Sequence, residues 1–202
     1  KPILRIRKNY RFVMQWAIMY LVCFLQQPSP LLLEFKNRYE RASRCFIVGT
    51  GPSLRIEDLE RLKGEVTFSM NSCIRLFSQT TWRPDFYLCF DPQVYLLLKD
   101  EILQADLNTI FYNSFSIPTF CRDAIPCIVN SACITYADSK IAQKKPRAMR
   151  FSDDAGKVIY EGHSTVYAAI QLAAYMGFKN IYLIGCDCNY NKEDSHTNGA
   201  DY

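Results

Sequence analysis

The sequence predicts an α/β fold, a mostly parallel sheet with helices on both faces, and three observations carry that prediction. Short apolar runs alternate with stretches of helical length from residue 44 onward. One of those runs breaks into the turn Gly49-Thr50-Gly51-Pro52-Ser53. The last clear unit is a helix opened by Ser164 and closed by Gly177, followed by the apolar run Ile181-Tyr182-Leu183-Ile184. Repeated β-α-β order requires parallel strands joined by crossovers over the faces of the sheet, so the arrangement is Rossmann-like. Ligands of such sheets gather beyond the carboxyl ends of the strands, and the residues at those ends are the candidates for function.

Taken in order, the charged stretch Glu34 to Arg44 reads as a helix leading into a strand at Cys45 to Val48. Helix Ile56 to Leu62 has apolar residues at helical spacing, with Glu57 and Asp58 near its positive end. The strand Val66-Thr67-Phe68-Ser69 runs through Met70 into Asn71. Phe86 to Phe90 reads as a buried strand ending at Asp91-Pro92, before a helix at Val94 to Ala105 and strands at Thr109 to Tyr112 and Ile125 to Val129. Ala137 to Gly156 carries Lys144, Lys145, Pro146, Arg147 and Arg150 without periodicity. It reads as a basic loop, either solvated surface or a lid over an anionic substrate. In the final unit Ser164 can cap a helix whose Val166, Ile170, Ala173 and Met176 share one face, and Gly177 can close it.

A chain of 202 residues with 49% hydrophobic and 22% charged content can bury one good-sized core. The division expected is an N-terminal segment, residues 1–43, and a nucleotide-binding catalytic domain, residues 44–202. The formal charge of +4 is modest, and Lys1, Arg5, Arg7, Lys8 and Arg11 cluster at the start. The body has no basic stripe interleaved with aromatics, so a nucleic-acid partner is not expected. Nine cysteines show no CxxC pair, and Cys45, Cys89 and Cys186 read as reduced core residues of a cytoplasmic protein. Phe12 to Leu25 is nearly all apolar but short of the roughly 20 residues that cross a bilayer. It contains Gln15 and ends in Gln26-Gln27-Pro28, which leaves an interfacial helix, making peripheral contact at the inner face of a membrane through residues 12–25, or a packing surface. The chain begins at Lys1 and stops after Asp201-Tyr202, so a fragment lacking elements on its C-terminal side is expected.

The turn after Val48 has the form of an anion-binding corner. Glycines let the backbone turn sharply and let a ligand approach it closely. Pro52 suits the first turn of a helix and Ser53 can cap the donors that follow, so that those donors and the helix dipole face a phosphate. A tight turn with no ligand is the alternative. A P-loop would need a lysine beside Ser53, and a nicotinamide turn would need a third glycine where Leu54 stands and an acid after the next strand. That strand ends in Asn71, whose amide both donates and accepts, as a base edge or sugar hydroxyl requires. An Asx turn is the other account of Asn71.

Gly49-Thr50-Gly51-Pro52-Ser53-Leu54, Asn71, Ser164-Thr165-Val166-Tyr167 at a helix start, and Gly185-Cys186-Asp187 follow in an order that resembles one known family. It is the bacterial and archaeal 6-hydroxymethylpterin diphosphokinase MptE-like family. That family in turn resembles the flagellin-modifying motility accessory factors and the bacterial sialyltransferases that use CMP-sialic acid. The resemblance runs from about Arg44 to His196. It implies that Gly49, Thr50, Gly51, Pro52 and Ser53 lie against a donor nucleotide and that Asn71 contacts its sugar or phosphate. Ser164, with Thr165 beside it, would sit at the phosphate or base, and Asp187 would end the strand that supports the site. Tyr190 lies one place from a phosphate-binding tyrosine of the sialyltransferases, and Ser195-His196 matches the stretch that holds their general-base histidine.

An imidazole can accept a proton from a hydroxyl at neutral pH, and the chain has only two, His163 and His196. The reaction implied is transfer of a sialic-acid-like sugar from a CMP donor to a hydroxyl of a glycan or protein acceptor, without metal or other cofactor. The family name implies another reaction, diphosphate transfer from ATP to a pterin alcohol. That chemistry needs Mg2+ and would make Asp91 and Asp187 its ligands. A nucleotide-binding module without turnover is the third reading.

Overall fold

A computed structural model describes residues 30–42, 44–113, 126–129, 131–132, 151–160, 162 and 164–188. In chain order its elements are α1 (Pro30–Glu34), β1 (Arg44–Val48), α2 (Ile56–Arg61), β2 (Thr67–Met70), a 3-10 helix (Asn71–Ser78), β3 (Phe86–Cys89) and α3 (Pro92–Gln104). β4 (Thr109–Asn113), β5 (Pro126–Val129), β6 (Ser131–Ala132), β7 (Ile159–Tyr160), α4 (Thr165–Tyr175) and β8 (Asn180–Ile184) follow. Six strands form one sheet in the order β5-β4-β3-β2-β1-β8, and every pair in it is parallel. The chain walks from β1 to β5 in one direction and returns with β8 on the other side of β1. The topological switch point, where such sheets bind ligands, therefore lies between β1 and β8. β6 and β7 pair separately.

Alternation along the strands divides the core into two layers, as the expected fold requires. Cys45 and Ile47 of β1, Phe86 and Leu88 of β3, and Phe111 of β4 face one side, under α1 and α4. Val48, Tyr87, Cys89, Ile110 and Tyr112 face the other, under α2, the 3-10 helix and α3. Phe86 anchors the first layer, with Phe35 and Tyr39 edge-on to its ring at 5.4 and 5.9 Å and Phe68 tilted against it at 4.7 Å. Val166, Ile170, Ala173 and Met176 of the α4 region all turn toward this layer, as their spacing predicts. Gly177, at φ +94°, ends the helix, and Phe178 N–H returns to the Ala173 carbonyl.

Gln171 joins α4 to the segment before it. Its side chain is fully buried, donates to the carbonyls of Tyr160 and Tyr167, and accepts from the amides of Ser152 and Tyr160. A buried amide satisfied at both ends fixes residues 151–160 against the helix.

The helix expected at Glu34 to Arg44 does not form. α1 ends at Glu34, and residues 35–41 make successive turns closed by bonds between residues three apart, with Asn37 at φ +55°. The amides of Asn37 and Tyr39 donate instead to the carbonyls of Tyr175 and Met176, at 3.0 and 2.8 Å. Those bonds to the end of α4 exclude a continuous helical ladder. Leu32 and Phe35 are buried in the same layer as the sheet. Among the described residues no helix is long and apolar enough to cross a membrane. Phe12 to Leu25 and the lysines and arginines of the basic loop lie outside them.

Past the ends of β1 and β8 the two chains stay in contact. Gly49 N–H donates to the Ile184 carbonyl at 2.8 Å and Gly51 N–H to the Gly185 carbonyl at 2.7 Å. A Cβ on Gly49 would stand 2.5 Å from the Gly185 oxygen, and Gly185 is itself at φ +63°. A backbone atom cannot step aside as a side chain can. Gly49→Ala is therefore expected to lower stability by about 1–3 kcal/mol, read as a shift in the urea midpoint.

Cys45, Cys73 and Cys89 are buried and free, and burial pushes each thiol up to about 12. Cys186, read from sequence as a core residue, is only partly covered, and Cys188 beyond it is exposed. Alkylation of the native protein followed by peptide mapping should mark Cys188 first among the described cysteines, with Cys45, Cys73 and Cys89 reacting only after unfolding.

Candidate functional site

The glycine turn gives its main-chain donors to the chain itself. Besides Gly49 and Gly51, Leu54 N–H donates to the Gly51 carbonyl at 3.0 Å, and Thr50 also has a partner. Ser53 N–H donates to Asp187 Oδ2 at 2.8 Å, and the Ser53 hydroxyl donates to Asp187 Oδ1. Pro52 and Ser53 lie in a turn, and the helix begins only at Ile56, with Arg55 at its N-cap and no side-chain cap. This corrects the placing of Pro52 in the first helical turn and of Ser53 as its cap. The glycines are required by the turn after β8, because a Cβ on Gly51 would meet Asp187 Oδ2 at 2.5 Å and the Gly185 oxygen at 2.7 Å. A phosphate at this corner would meet the Asp187 carboxylate already seated on its donors. Ser53 and Asp187 are both exposed, so the pair faces solvent at the mouth of the switch point.

One strand away the arrangement is different. Asn71 follows β2 with a left-handed backbone, φ +50°, a conformation asparagine tolerates better than most residues. Its Nδ2 lies 3.5 Å from Thr165 Oγ1 in the first turn of α4. Its Oδ1 is buried and has no hydrogen-bond partner among the described residues. Whichever way the amide is turned, one end faces Thr165 and the other is left over. Its main-chain carbonyl accepts a 2.6 Å bond from the Tyr87 hydroxyl.

Ser164 occupies the N-cap of α4, and its carbonyl accepts from the amides of Tyr167 and Ala168. Its side chain makes no capping bond, against the expectation from sequence. The amides of Thr165 and Val166 have no carbonyl one turn earlier in the helix to bond, so α4 turns them and the positive end of its dipole toward the side of Asn71. The fold thus brings Asn71, at the end of β2, to Ser164 and Thr165, and the glycine turn, at the end of β1, to Asp187 beyond β8.

Asp91 stands apart from both. It caps α3, accepting from Gln93 N–H at 2.7 Å. β2 and β1 lie between its strand and that of Asp187, about 14 Å at ordinary strand spacing. These two carboxylates are too far apart to ligate one magnesium ion together. Tyr190, His163 and His196 lie outside the described residues. Sequence reasoning missed Tyr87, although a tyrosine inside an otherwise apolar strand signals a hydroxyl that needs a partner.

A family model described as 6-hydroxymethylpterin diphosphokinase MptE-like matches residues 21–193. No curated protein matches the chain. Among solved structures the chain is similar to the MAf glycosyltransferase from Magnetospirillum magneticum AMB-1, with 20% identity and a TM-score of 0.44. That similarity covers 76% of this chain and 26% of the other, so the chain spans about a quarter of that protein. With the family model matching most of its length, the chain belongs to the 6-hydroxymethylpterin diphosphokinase MptE-like family.

Proposed function

We propose that this protein is a glycosyltransferase of cell-surface glycan biosynthesis that takes a sialic-acid-like sugar from a CMP donor and passes it to a hydroxyl of a glycan or protein acceptor. Asn71 is the observation that carries this reading. A buried amide end without a partner costs about 1–3 kcal/mol, and a ribose or sugar hydroxyl arriving at Asn71 would remove that cost. The groups beside it, the Thr165 hydroxyl and the first amides of α4, are neutral donors at the positive end of a helix. Such donors stabilise charge as it develops on a departing phosphate. On the other side of β1, Asp187 with Ser53 offers a carboxylate, which suits hydroxyl donors and not a second phosphate.

In this mechanism the acceptor oxygen bonds to the anomeric carbon while the bond from that carbon to the nucleotide phosphate breaks. His196 takes the proton from the acceptor hydroxyl, and Tyr190 donates to the phosphate that leaves. Residues 12–25 would keep the protein at the cytoplasmic face of a membrane, near lipid-borne or surface-bound acceptors.

Diphosphate transfer from ATP to a pterin alcohol is the second reading, favoured by the family name. Asp91 is spent on the cap of α3 and has two strands between its own and that of Asp187, so that chemistry would rest on one of these carboxylates alone.

Thermal unfolding with CMP-, UDP- and GDP-sugars, and with ATP with and without magnesium, separates the readings. A true donor at a hundred times its Kd adds about 2.7 kcal/mol of stability, and cytidine donors are expected to do so without magnesium. Stabilisation by magnesium-ATP alone would transfer the assignment to the diphosphokinase, and stabilisation by none would remove both. His196→Ala is expected to bind the donor normally and to lose transfer by about 10²–10⁴-fold in a radiolabelled-sugar assay. Full transfer by that variant would end the assignment of His196 as base.

A further inference from the structure

Asn71 is held in an unfavourable conformation, and what holds it is on another strand. A left-handed backbone costs an L-residue about 1–2 kcal/mol, less for asparagine, so it persists only where its surroundings fix it. On one side, the Asn71 carbonyl accepts the 2.6 Å bond from the Tyr87 hydroxyl of β3. On the other, its side-chain amide reaches Thr165 at the start of α4. Tyr87 has no exposed surface, and it packs in the layer of Val48, Cys73, Ile74 and Val94. Its ring has no room to follow if Asn71 turns. β2 and β3 are in fixed register, with Met70, the residue before Asn71, opposite Leu88, the residue after Tyr87. The phenol is therefore a rigid post beneath a strained residue whose side chain has an unsatisfied end.

We infer that Tyr87 is the positioning residue of the nucleotide site: its hydroxyl holds the Asn71 carbonyl, and through it aims the Asn71 amide at the ligand. Tyr87 itself does not touch the ligand. This inference rests on Asn71 being a ligand contact, as proposed above. Without the hydroxyl the Asn71 carbonyl loses this donor, and the peptide is free to rotate toward an ordinary right-handed or extended conformation, which carries the amide away from Thr165.

Tyr87→Phe removes one oxygen and keeps the ring, and Asn71→Gly removes the amide while tolerating the left-handed backbone. Binding of CMP is measured calorimetrically for the wild type, both single variants and the double variant. In parallel, the side-chain amide resonance of Asn71 is followed by NMR without ligand. Tyr87→Phe is expected to weaken CMP about tenfold, the scale of one hydrogen bond. The double variant is expected to bind no more weakly than Asn71→Gly, because both changes act through one contact. The Asn71 resonance should move in unliganded Tyr87→Phe while those of distant strands stay in place.

A lower melting temperature with unchanged CMP affinity and an unmoved Asn71 resonance would make Tyr87 merely structural and overturn the inference, as would additive losses in the double variant. If the wild type binds neither CMP nor any other nucleotide, the proposed function and the site role of Tyr87 fall together. The Asn71 resonance would still decide whether Tyr87 fixes that residue.

Discussion

The close approach of the turns after β1 and β8 is the constraint on which the candidate site depends. Two parallel strands at the switch point continue their hydrogen bonding past their ends because Gly49 and Gly51 carry no side chain to hold Gly185 away. Once they are that close, Asp187 falls within reach of Ser53 and takes both its amide and its hydroxyl. The glycine turn is then a wall bearing a carboxylate, and the negative charge of Asp187 decides what can approach it. The start of α4 stands instead next to Asn71, at the end of β2.

Separating a carboxylate wall from a helix N-terminus gives the carboxyl ends of the strands two sides of different polarity. A nucleotide ester has hydroxyl-rich and anionic parts, and the two sides of β1 differ in the same way. The cost of the arrangement is concentrated at Asn71, which has both a left-handed backbone and a buried amide end without a partner among the described residues. Strain and unsatisfied polarity in one residue are uncommon in a structural turn, and they are ordinary where binding supplies the missing partner.

The sheet and its two layers were legible in the sequence because each depends on local pattern. Alternation along Phe86-Tyr87-Leu88-Cys89 sends residues to opposite layers, and the apolar face of α4 repeats at helical spacing. Gly177 was legible for the same reason. Local pattern could also place Asn71 at a strand end, though not reveal its backbone conformation or its orphaned amide. The interactions that went unread join distant parts of the chain. Ser53 and Asp187 are 134 residues apart, and Asn71 and Thr165 are 94 apart. The turns at residues 35–41 are set by carbonyls at the end of α4, which no reading of Glu34 to Arg44 alone could anticipate. The motif Gly-x-Gly-Pro-Ser was read as a cradle for phosphate since glycine permits close approach, and here it is another turn of the same chain that approaches.

Membership of the MptE-like family fixes the scaffold more firmly than the reaction, since one fold serves many chemistries and the site decides between them. The discriminating feature is where carboxylates stand relative to the phosphate donors. Diphosphate transfer needs acidic groups close enough to hold a cation against a triphosphate. Here one acid is a helix cap and the other is bonded to Ser53, with two strands between them, while the groups next to the α4 N-terminus are an amide and a hydroxyl. Neutral donors at a helix start meet a leaving monophosphate directly, by hydrogen bonds that strengthen as its charge grows. In the proposed reaction the departing nucleotide monophosphate would meet those neutral donors, and the two acids would meet hydroxyl groups.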